Sequence, residues 1–293
     1  MYKNDFQKYL ESEKRFSAHT VKAYLKDLDQ FLAFVSESYS VNHPNKISHK
    51  IIRTWLVSLV LDDEVSSNSV NRKLSTLKTY FRFLMLSRKV EINPTLKVIA
   101  PKMKKRLPEF VDQAAMNEFL DLELFEDDFV GVRNQFIIEL LYQTGMRLSE
   151  MLALTVQDFE ISTGTLKVLG KRNKERLVPV NQSLMLLGQD YLIKRSEINS
   201  KSLQLIVTQK GKSAYPKMVY NVVNSYLSQV STLNKKSPHV LRHTFATHML
   251  NNGADLNSIK EILGHANLSA TQVYTHNSFE KLKSIYKQAH PRA

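Results

Sequence analysis

Pro101-Lys102-Met103-Lys104-Lys105-Arg106-Leu107-Pro108 divides this chain in two. Proline removes a backbone donor and disfavours helix in the residue before it, so a proline-bounded, cationic run resists both helix and core. It reads as an interdomain linker, able to lie along a phosphate backbone or to stand as a solvated tether. On this reading residues 1–100 form one domain, 101–108 the linker and 109–293 a second domain. A length of 293 residues suffices for two ordinary cores. Glycine and proline number only eight each, which favours helix over a sandwich or barrel.

Before the linker the apolar residues recur at helical spacing. From Ser17, a candidate N-cap, Val21, Tyr24, Leu25, Leu28, Phe31, Leu32 and Val35 make one stripe. A second helix is expected after Ser69, with Val70, Leu74, Leu77, Phe81 and Leu84 buried and Arg72, Lys73, Lys78 and Arg82 free to meet solvent or phosphate. A shorter run spans Ile51 to Leu61 around Trp55, Phe6, Tyr9 and Leu10 mark a fourth element, and Asn93-Pro94 should stop the series. Residues 1–106 carry 20 Lys and Arg against 10 Asp and Glu, and the rest carry 21 against 18. The net charge of +13 therefore sits mostly in the first third, where a polyanion would be gripped. Solubility alone would explain such charge equally well.

Beyond the linker the pattern is mixed. Asn134 to Tyr142 reads as a helix ended by Thr144-Gly145, and Arg147 leads into another, Leu148 to Leu154. Leu166 to Leu169 and Arg176 to Val180 flank the polar Gly170-Lys171-Arg172-Asn173-Lys174, the pattern of a β-hairpin. Past residue 184 helix returns: Ser237-Pro238 is a cap with proline at the first helical position, and Gly253 and Gly264 each end a helix. The expected fold is mainly α, a helical N-terminal domain joined to a mixed, mostly helical second domain with a small β-hairpin or sheet.

Several chemistries are excluded. With no cysteine there is no disulfide, thiolate nucleophile or thiolate metal site. His243 and His248, five apart, point to different helix faces, and neither a His-Glu-x-x-His nor a P-loop occurs. The N-terminus lacks an apolar signal core and no uncharged stretch approaches a membrane span, so cytoplasmic residence is expected.

What remains fits phosphodiester chemistry. Guanidinium groups bind two phosphate oxygens at once and keep their charge, so Arg147 and Arg242 make a natural clamp. Arg242 follows His239 by three residues on one helix, which sets both on one face, and His265 lies just past Gly264. Lys171 at the hairpin turn can give a proton to a leaving oxygen, although its neighbours Arg172, Lys174 and Arg176 can equally hold DNA. Tyr274 is the candidate nucleophile. At a reference pKa near 10 only about 0.1% of a tyrosine is phenolate at neutral pH, so it needs cations or an imidazole base beside it. Composition alone leaves Tyr220, Tyr226 and Tyr286 open as well. A lone helical histidine such as His243 or His248 more often completes a core hydrogen bond.

Four stretches, Thr144 to Glu150, Gly170 to Pro179, Pro238 to His248 and Leu263 to His276, resemble in order the boxes of the tyrosine recombinase/integrase family, most nearly its Xer-type site-specific recombinases. Ser17 to Phe34 and Ser69 to Pro94 resemble that family's helical core-binding domain. The resemblance implies that Arg147 and Arg242 activate the scissile phosphate, Lys171 is general acid, His239 and His265 transfer protons and bind phosphate, and Tyr274 forms a 3′-phosphotyrosyl link. It implies no cofactor and no metal. It implies strand exchange through a Holliday junction by a homo- or hetero-tetramer on two double-stranded DNAs with a specific recombination site, with a paralogous recombinase and a DNA translocase as further partners. Chromosome or plasmid dimer resolution is the first expectation, a mobile-element integrase or a type IB topoisomerase the alternatives. Residues 279–293, with Leu282, Ile285 and Tyr286 at helical spacing, are expected either to dock on a neighbour or to fold back. With helices beginning almost at Met1, an added arm-binding domain is not expected. Arg172 stands where the family commonly has glycine, and Ala266-Asn267 and Ala270 where serine or threonine is frequent.

Overall fold

The computed structural model describes residues 1–61, 65–100, 109–121, 124–170, 174–230, 233, 236–264 and 276–292. The linker 101–108 therefore lies outside the described residues. The chain divides into two compact units, Met1–Arg106 and Leu107–Ala293.

The first unit is helical: α1 (Lys3–Lys8), continued by a π-helical turn, α2 (Ala18–Tyr39), α3 (His49–Leu61) and α4 (Ser67–Leu86). Ser17 caps α2, its Oγ accepting from the Thr20 amide at 3.3 Å, a bond worth about 1 kcal/mol. The stripes meet as expected. Leu28, Phe31, Trp55, Leu77 and Phe81 are buried together, each contributing roughly 1.5–3 kcal/mol. Three expectations need correction. Ser66, not Ser69, caps α4, because its hydroxyl reaches the Ser69 amide and starts the helix a turn earlier. The helix ends at Leu86, while Asn93 caps a separate 3₁₀ turn at Pro94–Lys97. Lys73 does not meet solvent: it is buried, ion-paired with Asp27 at 3.1 Å, hydrogen-bonded to Gln30 and set 5.8 Å over the Trp55 ring. Asp27 also accepts from Arg72 and from Thr76 Oγ1, so one buried carboxylate joins α2 to α4. Arg72, Lys78 and Arg82 are exposed.

The second unit begins with α5 (Gln113–Asp121), then α6 (Phe129–Thr144) and α7 (Leu148–Ala153). A three-stranded antiparallel sheet follows, β1 (Phe159–Glu160), β2 (Thr165–Leu169) and β3 (Glu175–Pro179), in the order β1-β2-β3. The hairpin is present, with Leu166 opposite Val178 and Val168 opposite Arg176; the two-residue β1 adds an edge that was not expected. The remaining helices are α8 (Gln182–Ser196), α9 (Pro216–Val230), α10 (Pro238–Asn251), α11 (Leu256–Leu263) and α12 (His276–Ala289). The axis of this unit is α6, whose Phe136, Ile137, Ile138, Leu140, Leu141 and Tyr142 are all buried among α8, α9 and α10. No described helix is long and apolar enough to cross a membrane.

The last helix folds back on its own unit. Leu282, Tyr286 and Ala289 of α12 are buried against α10, α11 and β3, and Asn252 Nδ2 donates to Ala289 O at 2.8 Å. His290 beyond it is buried, stacked on Tyr286 with ring centres 4.9 Å apart.

Candidate active site

The site is assembled from three helix ends. Gly145 closes α6 in the left-handed region at φ 58°, where a side chain is strained. Space demands glycine too: a Cβ there would lie 2.4 Å from Phe245 Cδ1 and 2.7 Å from Leu263 Cδ2. The reversal leads straight to Arg147, the N-cap of α7. Glu150, at the third position of that helix, reaches back twice. Its Oε2 accepts from the Arg147 amide at 2.9 Å and its Oε1 from Arg147 Nη1 at 2.7 Å.

From α10, Arg242 spans two backbone carbonyls. Nη1 donates to Gly145 O at 2.6 Å and Nη2 to Leu263 O at 2.9 Å, tying the α6 end to the α11 end. The two predicted clamp arginines thus share one framework. Burial first, then the positive charges of Arg147 and Arg176, set against the pull of Glu150, bring the Arg242 pKa down to about 10. Arg242 is half-buried, and the Arg147 side chain is 37% exposed, so positive charge is held at an accessible surface. An anion there would relieve the repulsion between the two.

His239 sits in the first turn of α10 and is exposed. Ser237 occupies the N-cap as expected, with Pro238 behind it, but its side chain makes no capping bond. Lys171, His265 and Tyr274 lie outside the described residues. Gly170 and Gly264, which precede Lys171 and His265 in sequence, are described, and Gly264 ends α11 at φ 66°.

Two residues at the site were not singled out by the sequence. Glu150 is buried, and desolvation alone would raise its pKa; hydrogen bonds and charge from Arg176, with Arg147 adding to them, bring it below the ordinary glutamate value. Arg176 was one of three cations by Lys171 that could equally have held DNA. It is buried instead, its side chain 5% exposed, bonded through Nη2 to Glu150 Oε2 at 2.9 Å and through Nε to Ile262 O at 2.8 Å. The signal was present in the two-residue alternation of β3, which sets Arg176 on the same inward face as Val178.

Alternative candidates sort by burial. His248 is a core histidine, its Nε2 against Val111 O at 2.9 Å and its Nδ1 against the Tyr142 hydroxyl at 3.0 Å. Tyr286 is 1% exposed, its hydroxyl has no partner among the described residues, and burial first, then Tyr142 and Glu139, pushes its pKa up. A phenol so placed is a poor nucleophile. Tyr226 is half-buried and stacked on Phe125 at 4.5 Å, while Tyr220 is exposed on α9.

Comparison with known proteins gives the family. Residues 110–281 match the phage integrase family and residues 4–88 match the phage integrase N-terminal SAM-like domain. A tyrosine recombinase XerC of Chlorobaculum tepidum is 36% identical, over 99% of this chain and 94% of its own. Another from Staphylococcus saprophyticus is 37% identical over 97% and 95%. The fold is shared with the XerH site-specific recombinase bound to a palindromic difH substrate, at TM-score 0.72 and 22% identity over 96% of this chain and 83% of that one. It is shared also with the Tn1549 transposon integrase in complex with circular intermediate DNA, at 0.71 and 18% over 95% and 97%. Matched along both units and carrying two arginines on one framework, the chain belongs to the phage integrase family, as a tyrosine recombinase of the Xer type.

Proposed function

We propose that this recombinase cuts DNA by attack of the Tyr274 phenol oxygen on a scissile phosphorus. The new bond is a 3′-phosphotyrosyl ester, the bond to the 5′-oxygen breaks, and that oxygen takes its proton from Lys171. His239 or His265 accepts the phenol proton. Arg147 and Arg242 hold the nonbridging oxygens, where charge grows as phosphorus becomes five-coordinate. The ester conserves the energy of the broken bond, so a free 5′-hydroxyl can reverse the attack and rejoining draws on no nucleotide.

The observation that carries this reading is the pair of arginines, Arg147 held by Glu150 of α7 and Arg242 by the carbonyls that end α6 and α11, with the charge of Arg147 felt at Arg242. Arginines so held lose little entropy when they meet a phosphate. The names of the relatives, and the DNA bound by the structural neighbours, support a duplex with a recombination site as substrate. Residues 1–100 would grip that duplex through cations such as Arg72, Lys78 and Arg82, with 101–108 as the linker to the catalytic residues 109–293. Strand exchange between two duplexes calls for four active sites, hence a homo- or hetero-tetramer. Resolution of chromosome or plasmid dimers in the cytoplasm is the biological role we assign.

A suicide DNA substrate tests the chemistry, because a nicked strand that escapes after cleavage traps the covalent adduct. The native chain should form adducts on denaturing gels and Tyr274→Phe should form none. Loss of adduct in Tyr286→Phe but not in Tyr274→Phe would refute the nucleophile. Relaxation of supercoiled plasmid without any recombination site would point to a topoisomerase instead.

A further inference from the structure

Arg176 has no part in the mechanism above, yet it is a buried charge at the centre of the site. Each of its three nitrogens donates: Nε to Ile262 O at 2.8 Å, Nη2 to Glu150 Oε2 at 2.9 Å and Nη1 to Glu150 Oε1 at 3.3 Å. Glu150 is the carboxylate that holds Arg147, at 2.7 Å. Ile262 O and Leu263 O are successive carbonyls at the end of α11, and Arg242 binds the second. A continuous path therefore runs from Arg147 through Glu150 and Arg176 to the α11 end, and from there to Arg242.

Its surroundings are shaped to it. A Cβ on Gly264 would stand 3.0 Å from Arg176 Nη1 and 3.2 Å from its Cζ, and one on Gly170 would come 3.4 Å from Nη1. Two glycines flank the guanidinium, and a side chain at Gly264 would crowd it. An arginine cannot shed its charge, so burying one costs several kcal/mol unless it is paired and every donor has a partner. A residue with only structural work to do at this place could be apolar, like its strand neighbour Val178.

We propose that Arg176 is a positioning residue, setting the separation and tilt of Arg147 and Arg242 without touching DNA. The inference rests on the clamp role given to those two arginines under the proposed function. An ammonium on a flexible stem cannot bridge Glu150 and Ile262 O in the same fork, so Arg176→Lys should release both.

The test is single-turnover cleavage of the suicide substrate at saturating DNA by the full chain and by Arg176→Lys, Arg147→Lys and the double variant. Arg176→Lys should cleave about 100-fold more slowly, the loss a displacement of about 1 Å brings. Its DNA affinity should stay within about threefold, since the residue is buried. Because Arg176 acts through the clamp, the double variant should be no more than a few-fold slower than Arg147→Lys alone. Rate constant and final amount of adduct are read separately, so a partly misfolded variant shows as a lowered amount with the rate kept. A rate constant unchanged in Arg176→Lys, or losses that multiply in the double variant, overturns the proposal. If the native chain binds DNA but forms no adduct, the recombinase chemistry itself fails instead.

Discussion

Replacing Asp27 by alanine should be the most damaging single change in the first unit. That carboxylate is 1% exposed and accepts from Lys73, Arg72 and Thr76, so its removal strands three donors. Arg72 can turn to water, its side chain being 45% exposed, but the Lys73 side chain is 7% exposed and has Gln30 as its remaining polar partner in the network. An uncompensated buried charge of this kind costs about 3–5 kcal/mol. At a urea slope of about 2 kcal/mol per molar, the midpoint should fall by roughly 2 M. Trp55, the one tryptophan in the chain, reports on this unit alone: it is buried, its ring lies 5.0 Å from Phe31, and Lys73 Nζ sits above it. Fluorescence-monitored urea unfolding is therefore the assay. The double variant Asp27→Leu/Lys73→Met, which takes away both charges, should recover at least half of the loss. A loss below about 1 kcal/mol, the range of exposed ion pairs, would refute the reasoning, as would a double variant no more stable than Asp27→Ala.

Three further outcomes follow from the site. Arg242→Lys should lower the cleavage rate by about 10²–10³-fold on the suicide substrate, since an ammonium cannot span Gly145 O and Leu263 O while binding phosphate. Glu150→Gln should destabilise the second unit at neutral pH. Because the folded Glu150 pKa is lowered, the gap to the native chain is full above the unfolded carboxyl value of about 4.3 and closes as pH falls through the folded value, which circular-dichroism melts at pH 7 and pH 3 will check. DNA affinity should fall steeply with salt, with a log–log slope near −0.9 per phosphate neutralised, and a flat titration would contradict the cationic grip assigned to the first unit.

Much of the fold was legible because its signals are local. Ser17, Gly145, Gly253 and Gly264 end or begin helices through hydrogen bonds and dihedrals decided within four residues, and each does so where the sequence puts it. Lys73 was misread because a helical stripe gives the angle of a side chain but not the polar group waiting across the interface. Its partner Asp27 is 46 residues away. Arg176 escaped for the same reason, since Glu150 and Ile262 lie 26 and 86 residues distant. Arg147 and Arg242 were nominated by chemistry, but that Gly145 supplies a carbonyl to Arg242 is a consequence of packing. Buried ion pairs are long-range contacts, and periodicity carries no information about them.

Val111 is stapled at both its polar groups to one helix: its amide donates to Thr244 Oγ1 at 3.0 Å and its carbonyl meets His248 Nε2 at 2.9 Å. Thr244 and His248 are successive turns of α10, the helix that also carries Arg242. A pull arriving along the chain from residue 109 is thus borne in shear by a rigid rod rather than absorbed in a slack loop. Because Arg242 lies two residues before Thr244 on that rod, the segment entering the unit and the guanidinium assigned to the phosphate share a single stiff support.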